Sequence, residues 1–174
     1  MNDALSIKPW LKAIRISDSD WTHWWNVGER RSRQKRDYES SEYLDNYSHE
    51  VGAIGELYFG RLVGVDANDD LDALGDPGFY FTNVYIKATQ FTWEPWLKVR
   101  MEKARAGMSF AVITVNLKTH YVQYIGHADY DLLMRHEPTR ILLNPSKSTK
   151  FTGLRRAERY GPLSYVIKTG LIPP

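Results

Sequence analysis

Apolar residues recur along this chain in two rhythms. Trp21, Trp24 and Trp25 follow Ser19 and Asp20, either of which can cap a helix, and predict a helix running to Arg36 with an aromatic side. Ile54, Leu57, Tyr58, Arg61 and Leu62 give a second helical stripe from Ser48 to about Leu62, ended by Gly64. Gly52 and Gly55 are small positions in it, where another backbone can approach closely. The acidic stretch Asp66 to Asp76, followed by Pro77-Gly78, is rich in turn formers and predicts a loop.

Period-two and continuous apolar runs then predict strands at 79–81, 83–90, 96–99, 110–116 and 121–126. A helical stretch at 100–106 interrupts them, a short helix follows at 128–135, and Gly161-Pro162 introduces a last strand at 163–168. A long helix, then mostly strands with a short helix among them, indicates an α/β or α+β domain around one sheet. The five prolines between Pro138 and Pro174 make that segment read as a loop-rich appendage.

The length of 174 residues suits one domain, and 43% hydrophobic with 25% charged residues is a composition that folds. Absence of cysteine excludes disulfides and thiolate-bound metal. No apolar run approaches the roughly 20 residues of a membrane helix, and the start of the chain lacks the pattern of a secretory signal, so the expectation is a cytoplasmic protein with no membrane partner.

Net charge is only +2, but it is a cancellation. Residues 1–36 carry 8 basic and 4 acidic groups, 37–80 carry 1 and 11, 81–137 carry 7 and 5, and 138–174 carry 7 and 1. Basic ends suit a polyphosphate and an acidic middle suits a divalent cation, although such blocks also pair with one another or form solvated faces. The run Gly28 to Arg36 holds five cations in nine residues. For nucleic-acid contact the sequence offers Arg30, Arg31, Arg33, Lys35 and Arg36, then Lys147, Lys150, Arg155, Arg156 and Arg159.

Strand alternation puts Val84, Ile86 and Ala88 on one face and Tyr85, Lys87 and Thr89 on the other. Lys87 must then meet solvent or a carboxylate, because a lone buried ammonium is costly. Asp76 and Glu56 are the two carboxylates within reach of that role; His49, Gly52, Ala53 and Glu56 share a helix face. A divalent ion on Asp76, Glu56 and a backbone carbonyl would polarise a phosphate while Lys87 orients water or stabilises growing negative charge; a surface ion pair explains the same spacing. The five histidines have no metal-ligand spacing, and no EF-hand, serine-hydrolase elbow or P-loop occurs.

The succession Gly52-Ala-Ile-Gly-Glu56, Gly75-Asp76, Val84-Tyr-Ile-Lys87-Ala-Thr89, Phe110-Ala-Val-Ile-Thr-Val and Tyr124-Ile-Gly126 resembles the PD-(D/E)XK nuclease superfamily over residues 48 to about 134. It looks particularly like the small prokaryotic and phage-encoded members and the archaeal Holliday-junction resolvases. The resemblance implies an α/β fold with a restriction-endonuclease-like core over 46–137, a mixed central sheet flanked by helices, a basic aromatic helical extension at 1–45 and a basic extension at 138–174, all in one compact unit. It implies a metal-dependent DNA endonuclease using Mg2+ or Mn2+, with Glu56, Asp76 and Lys87 catalytic, Asp76 and Glu56 holding the metal, DNA as partner and a homodimer for double-strand cutting. Tyr85 stands where the family signature has Asp or Glu. Glu56, or the less well placed Glu50, would replace that acid from the neighbouring helix; Gln90, which points the other way by parity, is a weaker substitute. The alternative is an inactive nuclease-fold protein that binds DNA or a protein partner as a regulator.

Overall fold

The computed structural model describes residues 12–36, 47–65, 83–90, 92–93, 95–142 and 160–172. In chain order these form β1 (Ile14–Arg15), α1 (Asp18–Arg36), α2 (Ser48–Val63), β2 (Val84–Thr89), β3 (Trp96–Arg100), β4 (Ser109–Asn116), β5 (Tyr121–Asp129), α3 (Tyr130–Met134), β6 (Thr139–Leu142) and β7 (Tyr160–Lys168). The chain is mixed α/β, as the order of patterns predicts, but its described strands make two sheets rather than one.

The first sheet has the order β1-β5-β4-β2, with β2 parallel to β4 and the other pairs antiparallel. The second, β3-β7-β6, is wholly antiparallel. Three layers result. Helices α1 and α2 cover one face of the first sheet through Trp21, Trp24, Val27, Ile54, Tyr58, Ala111, Ile113 and Val115. The second sheet covers the other face, where Leu97, Val99, Tyr165 and Ile167 meet Tyr85, Phe110 and Val112. Burial on both faces is why 110–115 is apolar without alternation.

Local chemistry explains the boundaries. Ser17, just outside α1, accepts a bond from the Asp20 backbone N–H at 3.2 Å and donates its hydroxyl to the Asp20 carboxylate at 2.6 Å. This reciprocal cap starts the helix earlier than Ser19. Asp20 also pairs with Arg61 of α2 at 2.7 Å, tying the start of one helix to the end of the other. Gly64 closes α2 at φ 70, a left-handed conformation that glycine adopts without steric cost. Trp21 stacks on His120 at 4.0 Å between centroids and so anchors α1 to the β4–β5 turn.

Three expectations are corrected. The stretch 100–106 holds only a three-residue 3-10 turn at Met101–Lys103. The short helix is Tyr130–Met134, begun by the Asp129 carboxylate, which accepts from Leu132 N–H at 2.8 Å. Within the proline-rich segment, β6 is a strand where a loop-rich appendage was expected, and β7 contains the expected 163–168 strand, extends it back to Tyr160 and is central to its sheet. Pro162 is tolerated there because the β6–β7 register shifts between Arg140 and Leu142, leaving a bulge where no ladder donor is required. The predicted 79–81 strand and the Asp66–Asp76 loop lie outside the described residues.

Candidate functional site

Helix α2 lies directly on β2. A Cβ added at Gly55 would come 2.6 Å from the Ala88 Cβ, so only glycine allows this approach. Ile86 and Ala88 pack beneath the helix, as alternation requires, and Lys87 points with Tyr85 toward the second sheet.

Glu56 sits one position past Gly55 and is turned toward α1 instead of toward Lys87. Its carboxylate accepts a bond from the Arg31 guanidinium at 2.7 Å, with the Arg31 side chain only 5% exposed and that of Glu56 25%. Burial pushes the Glu56 carboxyl above its usual range, and the attraction and hydrogen bond of Arg31 offset this only in part. Helix α1 places Arg31 there because it continues the stripe of Trp21, Trp24 and Val27 at spacings of three and four. The sequence offers Arg31 for nucleic-acid contact, but it is buried against Glu56; its place on the apolar stripe is the signal for an inward position. Arg30 and Arg33 are exposed, with Arg33 paired to Glu29 at 3.4 Å, and Lys35 and Arg36 lie in the last turn of α1. Glu50, the other helical acid, is buried in the first turn of α2 beneath α1.

Lys87 is in the middle of β2, partly buried, and among the described residues no carboxylate pairs with it. Burial pushes its ammonium below the usual lysine range, and the like charges of Arg100 and Lys103 push it further. The charges of Arg100 and Lys103, at and just beyond the end of β3, therefore bear on Lys87. Tyr85 is buried against Phe110, ring centroids 4.9 Å apart, and belongs to the core between the sheets. A carboxylate in its place would sit among apolar side chains, which accounts physically for an aromatic residue there.

The sequence-predicted residues therefore fall on two sides of one sheet: Glu56 with Arg31 on the helix side, Lys87 with Arg100 and Lys103 on the other. Asp76, Lys147, Lys150, Arg155, Arg156 and Arg159 lie outside the described residues. Among the described residues no three His, Asp or Glu side chains are grouped to hold a metal, and the one sequence-predicted ligand among them, Glu56, is engaged by Arg31. These residues alone do not fit a Mg2+ or Mn2+ ion.

The β4–β5 pair adds a feature that sequence reading missed. The register shifts between Val112 and Ile113, so that Tyr124 and His127, three apart, both face the helix layer. The Tyr124 hydroxyl lies 2.6 Å from His127 Nδ1, and burial pushes its phenol up to about 12. Bulges re-aim side chains in this way, and the trace of this one in the sequence is Gly126, two residues after Tyr124.

Among the described residues no helix is long and apolar enough to cross a membrane. Compared with family models, with curated proteins and with solved structures, the chain matches none.

Proposed function

We propose that the chain acts on DNA through a restriction-endonuclease-like core, as a metal-dependent endonuclease that hydrolyses phosphodiester bonds. The observation that carries this reading is Lys87: a partly buried lysine, held mid-strand beside Arg100 and Lys103 with no carboxylate to neutralise it among the described residues. A fold spends stability on such an arrangement, and an anionic ligand such as a phosphodiester restores it. Asp76, at the end of the acidic segment, lies eight residues before the start of β2, and it is the residue on which metal binding turns.

The test is cleavage of supercoiled and linear DNA with Mg2+ or Mn2+ by the parent chain and by Asp76→Ala and Lys87→Ala. Loss of metal-stimulated cleavage in both variants, with DNA binding largely retained in Asp76→Ala, is expected. Cleavage that survives both substitutions, or a parent chain that binds DNA without ever cutting it, would reject the assignment.

A second reading is favoured by two specific observations, the burial of Tyr85 against Phe110 and the engagement of Glu56 by Arg31. Both remove acids or acid positions from the neighbourhood of Lys87. They fit a nuclease-fold protein that has kept nucleic-acid binding and lost hydrolysis. Calorimetric titration of Mg2+ into the protein–DNA complex separates the two readings: heat of binding that disappears in Asp76→Ala belongs to the enzyme, and no heat belongs to the binder.

A further inference from the structure

Strand β3 divides its residues sharply. Leu97 and Val99 are fully buried between the sheets, so Trp96, Lys98 and Arg100 turn outward. Trp96 is 42% exposed, and Trp93, just ahead of the strand, is 83% exposed. A single exposed apolar side chain calls for no explanation, but an indole carries 150–250 Å² of buriable surface, and two left open within four residues gain nothing for the fold.

A cation lies over one of these rings, and others follow along the chain. The Lys168 ammonium, on the neighbouring strand β7, lies 5.6 Å from the Trp96 ring centroid. Lys98, Arg100, Lys103 and Arg105 are exposed along the same segment, against one described acid, Glu102, which lies 3.6 Å from Arg100. A membrane-inserting face would add several aliphatic side chains to its aromatic ones, and along this segment Met101 is the one such side chain that is exposed. Open aromatic faces among cations instead match sites that track an unpaired phosphate backbone while bases stack on the rings. Outward positions on a strand repeat at roughly 6.8 Å, twice the 3.4 Å rise per stacked nucleotide. Paired bases offer no free face, so a duplex leaves the indoles unused.

We infer that the outer face of β3, with Trp93, Trp96, Lys98, Arg100 and Lys168, is a binding track for single-stranded DNA. Arg100, at the end of the track, is one of the two cations whose charge bears on Lys87, the residue on which the nuclease reading rests. The inference deepens that reading by naming unpaired strands as its substrate.

The test is fluorescence anisotropy with a labelled single-stranded DNA of roughly 20 nucleotides, in EDTA so that no cleavage intervenes. The same measurement is made with the matching blunt duplex and the matching RNA. The double variant Trp93→Ala/Trp96→Ala is expected to weaken single-strand binding at least about tenfold while leaving duplex binding within about twofold, and Trp93→Phe/Trp96→Phe to recover most of the loss. Lys98→Ala is expected to lower the slope of log affinity against log salt by about 0.7. Circular dichroism and thermal unfolding of each variant establish that the fold is kept, and the phenylalanine pair supplies a second, conservative route. Single-strand binding unchanged in the alanine pair would overturn the inference, as would an equal loss for the duplex, a preference for the RNA, or a loss confined to sedimentation with phosphatidylcholine–phosphatidylserine vesicles. Failure of the parent chain to cut DNA with Mg2+ removes the nuclease reading and leaves this result standing, because every arm is read without divalent ions.

Discussion

At Gly28 the two helices pass close to one another, and substituting it makes a demanding test of the helical layer. A Cβ at this position would lie 2.6 Å from Glu50 N and 2.8 Å from His49 O, and against Glu50 Cα. Carbon contacts settle near 3.5–4.0 Å, and all three neighbours are backbone, so no rotamer gives way and the helices must part by about 1 Å. Overpacking of this kind costs about 1–3 kcal/mol. Arg31 lies one helical turn beyond Gly28 on the same edge, so parting the helices also lengthens its 2.7 Å bond to Glu56. Breaking a fully buried pair costs about 3–5 kcal/mol; because Glu56 keeps a quarter of its side chain in solvent and the pair is only stretched, about 1–2 kcal/mol is a fair share here. Helix propensity returns about 1 kcal/mol to alanine. Gly28→Ala should therefore lose about 2–3 kcal/mol, read from urea unfolding by circular dichroism with the m-value held in common. Gly52→Ala on α2 is the internal control: its Cβ meets nothing within 4 Å, so it should gain up to about 1 kcal/mol. A Gly28→Ala protein as stable as its parent, or a Gly52→Ala protein that loses as much, would refute the close crossing.

Arg31→Met leaves the buried Glu56 carboxylate without its counter-charge and should cost about 2 kcal/mol at pH 7. Because burial already holds the folded carboxyl above 4.5, the native state binds the proton first; stability contributed by this group rises as pH falls from the raised value toward 4.5, so the Arg31→Met deficit should shrink in acid unfolding titrations. Lys87→Met should gain about 1 kcal/mol in the same assay while abolishing any cleavage, since the folded lysine is pushed below 10.5 and its charge opposes folding at neutral pH; a loss of stability would mean a structural role instead. Tyr124 should show no phenolate absorbance until pH nears 12, and because its folded value lies above the unfolded 10, its contribution to stability is lost as pH rises between 10 and about 12.

Local patterns that carry their own period were legible in the sequence. The Trp21–Trp24 stripe, the Gly64 stop and the strand alternation of 84–89 each appear where the chain's chemistry puts them. The second sheet was not legible, because β3 finds its partner in β7 across a long stretch of chain, and pairing at that distance leaves no periodic mark. Alternation did show that Tyr85 and Lys87 share a face; it did not show that the face is covered, and so Tyr85 reads as a missing acid in the sequence and as core in the structure. Arg31 is a comparable case. Counting its neighbours gives a basic run, and counting helical positions from Trp21 gives a buried stripe.

The late pairing of β3 has a consequence for how the chain is made. Among the described residues β3 bonds only to β7, which is synthesised roughly 60 residues later. The helices and the first sheet can dock as soon as β5 has emerged, while β3 waits with its ladder groups open and Leu97 and Val99 without a lid. An unpaired strand in that state is an invitation to join another chain's edge. The outward Lys98 and Arg100 interrupt the run of apolar residues and make such joining repulsive, so the cations placed beside the tryptophans also serve as a guard on the nascent chain.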